Sequence, residues 1–294
     1  MKYAYYPGCS LHSTAKEYDS SLRAVCEKAD IELEEAKNWI CCGSSWAHPT
    51  SNLLSLALPL KNLAEIEKGG FREVVVPCAA CFSRFKIAQH EAANKPQLAA
   101  EVEEIIKHKF DDGVKVYHPL DVLSNNMDLN KLTELVKKDL SGLKVVCYYG
   151  CLLTRPPKVT EFDDCEYPQS MDRILRAVGI PTLDWSYKTD CCGASFALTK
   201  TEIVLKLSHA ILDGAKSVGA DVIAVACPMC HSNLDTREKE IEKEYTVTYG
   251  LPILYFTQLM GLAFDIPVEK LLLGRHLVNT KDVLEKVKCP IKTK

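Results

Sequence analysis

The chain has 294 residues, 47% hydrophobic and 26% charged, which suits a soluble globular protein with material for one large domain or two ordinary ones. A formal charge of −3 argues against nucleic acid or an anionic membrane as partner. Fourteen cysteines are too sparse for a small disulfide scaffold, so thiols that bind metal or do redox chemistry are expected.

Met1-Lys2-Tyr3-Ala4-Tyr5-Tyr6-Pro7 lacks the basic region and apolar core of an export signal, which predicts a cytoplasmic protein. Lys2 to Tyr6 then reads as a short aromatic strand that Cys9 ends. Thr14 to Ala29 carries Leu22, Val25, Cys26 and Ala29 at helical spacing. Ile31 to Glu35 reads as the next strand, leading to the turn Cys41-Cys42-Gly43. A helix opens at Pro49-Thr50-Ser51-Asn52 and runs through Leu53, Leu56, Leu60, Leu63 and Ile66, with Gly69-Gly70 as a left-handed cap. Val74-Val75-Val76 has the β-branched character of a buried parallel strand, and Cys78-Ala79-Ala80-Cys81 stands where a helix should begin.

Val114 to Tyr117 reads as a strand with a helix from Pro119, and Asn125 to Gly142 as a connecting helix. That places the boundary between two units, 1–142 and 143–294. The second unit repeats the scheme: strand Leu143–Tyr149, helices Ser170–Val178 and Thr201–Val218, strand Asp221–Ala226, then a helix opened by Pro228. Pro252 to Phe256 reads as the final strand, with helices after it. The apolar stretch Leu251–Phe264, broken by Pro252, Thr257 and Gln258, is too short to span a bilayer. Alternating strands and helices predict an α/β class. In that class Cys9, Cys78, Cys151 and Cys227, which all end predicted strands, gather at one edge of each unit.

The repeat is sharpest in the cysteines. Cys9, Cys41-Cys42 and Cys78-x-x-Cys81 are separated by 31 and 35 residues. Cys151, Cys191-Cys192 and Cys227-x-x-Cys230 are separated by 39 and 34. Flanking residues repeat too, as in Tyr5-Tyr6-Pro7-Gly8-Cys9 against Tyr148-Tyr149-Gly150-Cys151. Two copies are too few and too long for a solenoid. A tetrahedral zinc or a cubane cluster takes four thiolates, and each set offers five. An unusual iron–sulfur cluster fits that number better; zinc with one bystander thiol, or disulfides, remain as alternatives.

The tandem pattern of one, two and two cysteines before and after Gly43 and Gly193 resembles the cysteine-rich CCG domain pair of the heterodisulfide reductase B-subunit family, over nearly the whole chain. The resemblance implies two Rossmann-like CCG units with short parallel strands and flanking helices. It implies two noncubane [4Fe-4S] clusters, one on Cys9, Cys41, Cys42, Cys78 and Cys81, the other on Cys151, Cys191, Cys192, Cys227 and Cys230. The implied substrate is the mixed disulfide of coenzyme M and coenzyme B, held between the clusters and cleaved at the end of methane formation. Implied partners are the iron–sulfur C subunit and the flavin A subunit of that enzyme, with a hydrogenase, since the chain lacks a Gly-x-Gly-x-x-Gly and a phosphate loop of its own. Related CCG pairs in hydroxy-acid or quinone-linked dehydrogenases make an electron-relay role the first alternative, and a zinc-stabilised scaffold is the second.

Other residues carry blander readings. Cys147 is a strand residue and Cys26 a core helix residue, while Cys165 and Cys289 have no counterpart and no assigned role. His12 and His231 are surface or capping residues before they are proton donors. His118, at a strand end, corresponds to Phe256 in the second copy and receives no catalytic role. Arg155 and Lys16 lie near the first cysteines and could meet a sulfonate or phosphate, or be plain solvated charges.

Overall fold

The computed structural model describes residues 1–45, 47–109 and 113–290, and two four-stranded sheets organise them. The first contains β1 (Lys2–Tyr5), β2 (Glu32–Glu35), β3 (Glu73–Val75) and β4 (Lys115–Tyr117), in the spatial order β2-β1-β3-β4. A short strand β5 (Lys138–Asp139) follows. The second sheet contains β6 (Val145–Tyr148), β7 (Thr182–Leu183), β8 (Val222–Val225) and β9 (Ile253–Tyr255), in the matching order β7-β6-β8-β9. Every pairing within these two sheets is parallel. The α/β expectation and the internal repeat therefore both hold, at the level of strand order as well as sequence.

Burial explains the strand sequences. β6 (Val-Val-Cys-Tyr) and β8 (Val-Ile-Ala-Val) are buried at all positions, as parallel strands covered on both faces must be. β2 lies at an edge and alternates instead. Its exposed Glu32 and Glu34 each meet Lys2 at 2.9 Å, and a charged edge resists further pairing.

The expected helices appear at Lys16–Lys28, Asn52–Lys68, Ala79–Asn94, Pro119–Ser124, Ser170–Ala177, Thr201–Ser217 and Pro228–Asp235. Ser51 caps the second of these, its hydroxyl accepting from the Leu54 amide at 3.3 Å. That helix ends at Gly69 in ordinary right-handed geometry, and Gly70, at φ +83°, supplies the left-handed residue.

Two expectations fail. The long connecting helix over 125–142 shrinks to Leu129–Glu134, after which β5 pairs antiparallel with β10 (Lys288–Pro290). β9 is therefore not the last strand. Polar residues around Lys138 carry no period that reveals a pairing partner so distant in sequence. Helices Pro96–Ile106 and Glu238–Tyr245 and the two-residue β7 were not expected either, although Pro96 is a helix-start signal.

One apolar core runs through both halves. Helix Lys16–Lys28 of the first half packs on helix Phe256–Ala263 of the second. Ser21 and Thr257 share a buried hydrogen bond of 2.7 Å, Tyr18 stacks on Tyr255 with ring centroids 4.3 Å apart, and Glu17 pairs with Arg275 at 3.0 Å. These contacts bring the carboxyl ends of the two sheets together.

Candidate metal centre

In each sheet the chain leaves the two central strands toward opposite edges, so β1/β3 and β6/β8 are switch points whose following loops open a crevice. The cysteines occupy those loops. Cys9 follows β1 on the short helix Gly8–His12, and Cys78 is the N-cap of Ala79–Asn94, with Cys81 in its first turn. Cys151 follows β6, and Cys227 is the N-cap of Pro228–Asp235, which carries Cys230. The doublets arrive on the loops after β2 and β7.

Glycine makes the convergence possible. Gly8 and Gly150, each just before the first cysteine of its set, have φ of +67° and +71°. A Cβ on Gly8 would lie 3.3 Å from Cys81 Sγ, and one on Gly150 only 2.9 Å from Cys230 Sγ. A side chain at Gly8 would press on the sulfur, and one at Gly150 would force it to move. After each doublet, the amides of Gly43 and Gly193 turn back toward Cys41 and Cys191 Sγ at 3.5 and 3.3 Å.

The thiols of each set are mutual neighbours. Cys42 and Cys81 sulfurs lie 3.1 Å apart, and Cys192 and Cys230 sulfurs 3.6 Å. All five cysteines of the second set line one cavity of about 70 Å³, to which the first half contributes Ala79. The carbonyls before Cys78 and Cys227 share one imidazole N–H, that of His118, so the two sets lie side by side. The inner thiols are buried, whereas Cys9, Cys41 and Cys191 are exposed at the mouth. All described cysteines are free thiols.

Crowding sets their protonation. Hydrogen bonds from Cys41 and Cys81 hold Cys42 well below the ordinary thiol range, while the same contacts push Cys41 and Cys81 up. Cys227 is lowered by Cys230, by Cys78 and by the amides of Cys230 and Met229 at its helix start. Cys191, accepting from Cys151, drops to about 6. Within each set the crowding thus favours ionisation of one thiol over its neighbours, and thiolate is the form that ligates metal.

Several supporting residues give no sequence signal of their role. The Tyr6 hydroxyl donates to the Ile40 carbonyl at 2.8 Å, and Tyr148 to the Asp190 carbonyl at 2.6 Å. Each tyrosine thereby fixes the residue before a doublet, and its buried phenol is raised further by the surrounding thiolates. The paired Tyr-x-x-Cys spacing could have revealed this. His118 is fully buried, and its Nδ1 accepts from the Leu120 amide, so Nε2 carries the proton. That N–H faces the carbonyls of Pro77 at 2.8 Å and Ala226 at 3.1 Å, the residues immediately before Cys78 and Cys227. One imidazole staples the two Cys-x-x-Cys segments together. Asn233 donates to the Cys192 carbonyl at 2.9 Å.

The remaining singled-out residues separate clearly. Cys26 and Cys147 are buried as expected, Cys165 is half-buried, and the Cys289 side chain lies outside the described residues. His12 is exposed and pairs with Glu35 at 3.1 Å. His231 is not a surface residue: it is 6% exposed and bonds His276. The turn that places Cys230 in the thiol set turns the next side chain into the protein. Arg155 is tied to Glu166 at 3.0 Å and to Thr189, and Lys16 is exposed.

The CCG family, described as a cysteine-rich domain, matches residues 3–86 and again 145–235. This chain belongs to the CCG family. Each CCG segment spans a complete cysteine set, Cys9 to Cys81 in the first and Cys151 to Cys230 in the second. Among curated relatives, the 8-methylmenaquinol:fumarate reductase membrane anchor subunit of Wolinella succinogenes is 29% identical, covering 95% of this chain and 97% of its own. The B subunit of the ferredoxin/F420H2-dependent CoB-CoM heterodisulfide reductase of Methanosarcina acetivorans is 24% identical over 97% of both chains. The B subunit of the ferredoxin:CoB-CoM heterodisulfide reductase of Methanosarcina mazei is 25% identical over 97% of both. A solved structure of a hypothetical protein from Helicobacter pylori superposes with a TM-score of 0.77 at 12% identity, and shares the fold. The match covers 95% of this CCG chain and 52% of that longer one.

Proposed function

We propose that this chain is the catalytic iron–sulfur subunit of a heterodisulfide reductase, reducing the mixed disulfide of coenzyme M and coenzyme B to two thiols in methane formation. The observation that carries the reading is the single His118 N–H facing both the carbonyl before Cys78 and the carbonyl before Cys227, which sets the two five-thiol groups side by side. Units 1–142 and 143–294 each contribute one set. Five soft donors per set, glycines that admit sulfur against backbone, and first-turn amides beside Cys227 suit a cluster better than a four-coordinate zinc. The ligand assignment is Cys9, Cys41, Cys42, Cys78 and Cys81 for one noncubane [4Fe-4S] cluster, and Cys151, Cys191, Cys192, Cys227 and Cys230 for the other.

When bound, the two clusters supply the two electrons that a disulfide needs to become two thiols, with two protons taken up. The protein's contribution is placement. His118 fixes the spacing between the two Cys-x-x-Cys segments, Tyr6 and Tyr148 fix the doublet loops, and the buried inner thiols keep water from the junction. Electrons arrive from the iron–sulfur C subunit and the flavin A subunit of the complex, with a hydrogenase upstream, in the cytoplasm. None of the described helices is long and apolar enough to cross a membrane.

The 29% identity to a menaquinol:fumarate reductase subunit favours one second reading, an electron relay in a quinone-linked enzyme. One assay separates them. Anaerobic protein with reduced viologen should oxidise the dye when the coenzyme M–coenzyme B disulfide is added. Dye oxidation by a menaquinone analogue and not by the disulfide would replace the first reading with the second.

A further inference from the structure

Beyond the thiol sets, we propose that His231, Asp235 and His276 form a separate site for one divalent transition-metal ion of the zinc class. His231 and Asp235 stand one turn apart on helix Pro228–Asp235 and therefore share a face. His276 follows the short 3-10 turn Leu273–Arg275. One ligand atom from each residue lies within 4.8 Å of the other two. Exposure is 6% for His231, 3% for Asp235 and 9% for His276, so the group is enclosed.

Two features favour a cation over a purely hydrogen-bonded cluster. The first is charge. Asp235 accepts the amides of Leu277 and Val278 at 2.9 and 3.2 Å, but among the described residues no cation pairs with it. Glu17 and Glu238, both 3% exposed, lie within electrostatic reach; Arg275 pairs with Glu17, and Glu238 Oε2 has no partner. Burial accordingly raises Asp235 and lifts Glu238 to about 7. A buried carboxylate without a counter-ion is costly, and a divalent ion removes that cost.

The second feature is the outer contacts of the rings. The Ile253 carbonyl lies near the His231 ring. His276 Nε2 faces the side-chain amide of Gln258, 2.8 Å from its Nε2 and 3.1 Å from its Oε1. This nitrogen accepts from the amide while Nδ1 carries the proton, and it can donate to Oε1 once Nδ1 is metal-bound. Metal-bound histidines characteristically donate their other N–H to such oxygens. Both rings are enclosed, so an ion between them would be shielded from solvent. Without the ion, His231 Nε2 and His276 Nδ1 share a proton at 2.8 Å. With it, the His276 proton moves to Nε2 and the nitrogens part to about 3.3 Å, the chord of a zinc tetrahedron with bonds near 2.05 Å.

Two imidazoles and one carboxylate select zinc or a similar first-row ion over calcium or magnesium, which prefer all-oxygen sites. A water would complete the tetrahedron. The ion would clip residues 272–280 onto the helix that carries Cys227 and Cys230, stiffening the second thiol set from behind.

The test uses full-length protein purified anaerobically from zinc-supplemented cells, with zinc and iron contents and zinc-edge X-ray absorption. The expected result is about one zinc per chain, with nitrogen and oxygen neighbours near 2.0 Å and no sulfur near 2.3 Å. Asp235→Asn and His276→Gln should each lose that zinc and keep the iron. Wild-type protein without zinc, sulfur in the zinc shell, or zinc retained in both variants would each overturn the proposal. The absorption spectrum of the wild-type protein decides the matter even where a variant fails to fold.

Discussion

Replacing Gly150 by alanine separates backbone strain from contact with the thiol site. Gly70, Gly8 and Gly150 are three of the described glycines with a left-handed backbone, and they differ in the space around them. Gly70, at φ +83°, has nothing within 4 Å of where a Cβ would stand, so Gly70→Ala incurs only the conformational cost, about 1–2 kcal/mol. Gly8→Ala adds a tight 3.3 Å approach to Cys81 Sγ and to the Tyr6 ring. Gly150→Ala places the methyl 2.9 Å from Cys230 Sγ, so the sulfur must move. Overpacking of that kind adds about 1–3 kcal/mol, for a total of about 2–5 kcal/mol. In a chain of this length each kcal/mol lowers the melting midpoint by roughly 2 °C. Melting at a fixed scan rate should rank Gly150→Ala below Gly8→Ala and Gly8→Ala below Gly70→Ala. Iron content should fall toward half in Gly150→Ala and stay complete in Gly70→Ala. A Gly150→Ala protein as stable as Gly70→Ala, with full iron, would refute the idea that this glycine exists to admit the sulfur.

Other substitutions probe the surroundings. His118→Leu removes the N–H shared by the Pro77 and Ala226 carbonyls, and denaturant unfolding should show a loss of about 1–3 kcal/mol. An unchanged midpoint would show that the shared N–H is no staple. Lys188→Met strands the carboxylate of Asp172, 2.9 Å away and fully buried, and should cost about 3–5 kcal/mol. Adding Asp172→Asn should restore much of that stability, and a double variant no better than the single would show that charge is not the cause. Glu238 is raised by burial from 4.5 to about 7, so its neutral form favours the fold below about 4.5 and that benefit is lost as pH rises toward 7. Glu238→Gln should therefore exceed the wild type in stability at pH 8, by about 3 kcal/mol at most, and lose the advantage near pH 5. An equal effect at both pH values would contradict the raised carboxyl.

The sequence carries the α/β order and the convergence of the cysteines because both are local signals. Val74 to Val76 and Val222 to Val225 declare buried strands by composition, and Cys78 and Cys227 stand at strand ends within a few residues of them. What escapes is whatever depends on a distant partner. β5 is a strand only because β10 lies beside it, and His118 acquires its role from Ala226, 108 residues away. His231 reads as a polar residue near a helix start, and only the packing of residues 272–280 reveals it as buried. Tyr6 and Tyr148 lie between these cases, since their repeated spacing is visible but the carbonyls they hold are not.

The proposed chemistry stands or falls on whether each set of five thiols holds an iron–sulfur cluster. Iron and acid-labile sulfide should be measured together on protein purified without oxygen. About eight of each per chain are expected, four for each of two [4Fe-4S] clusters. Zinc bound by sulfur in both sets, with little iron or labile sulfide, would contradict the cluster reading.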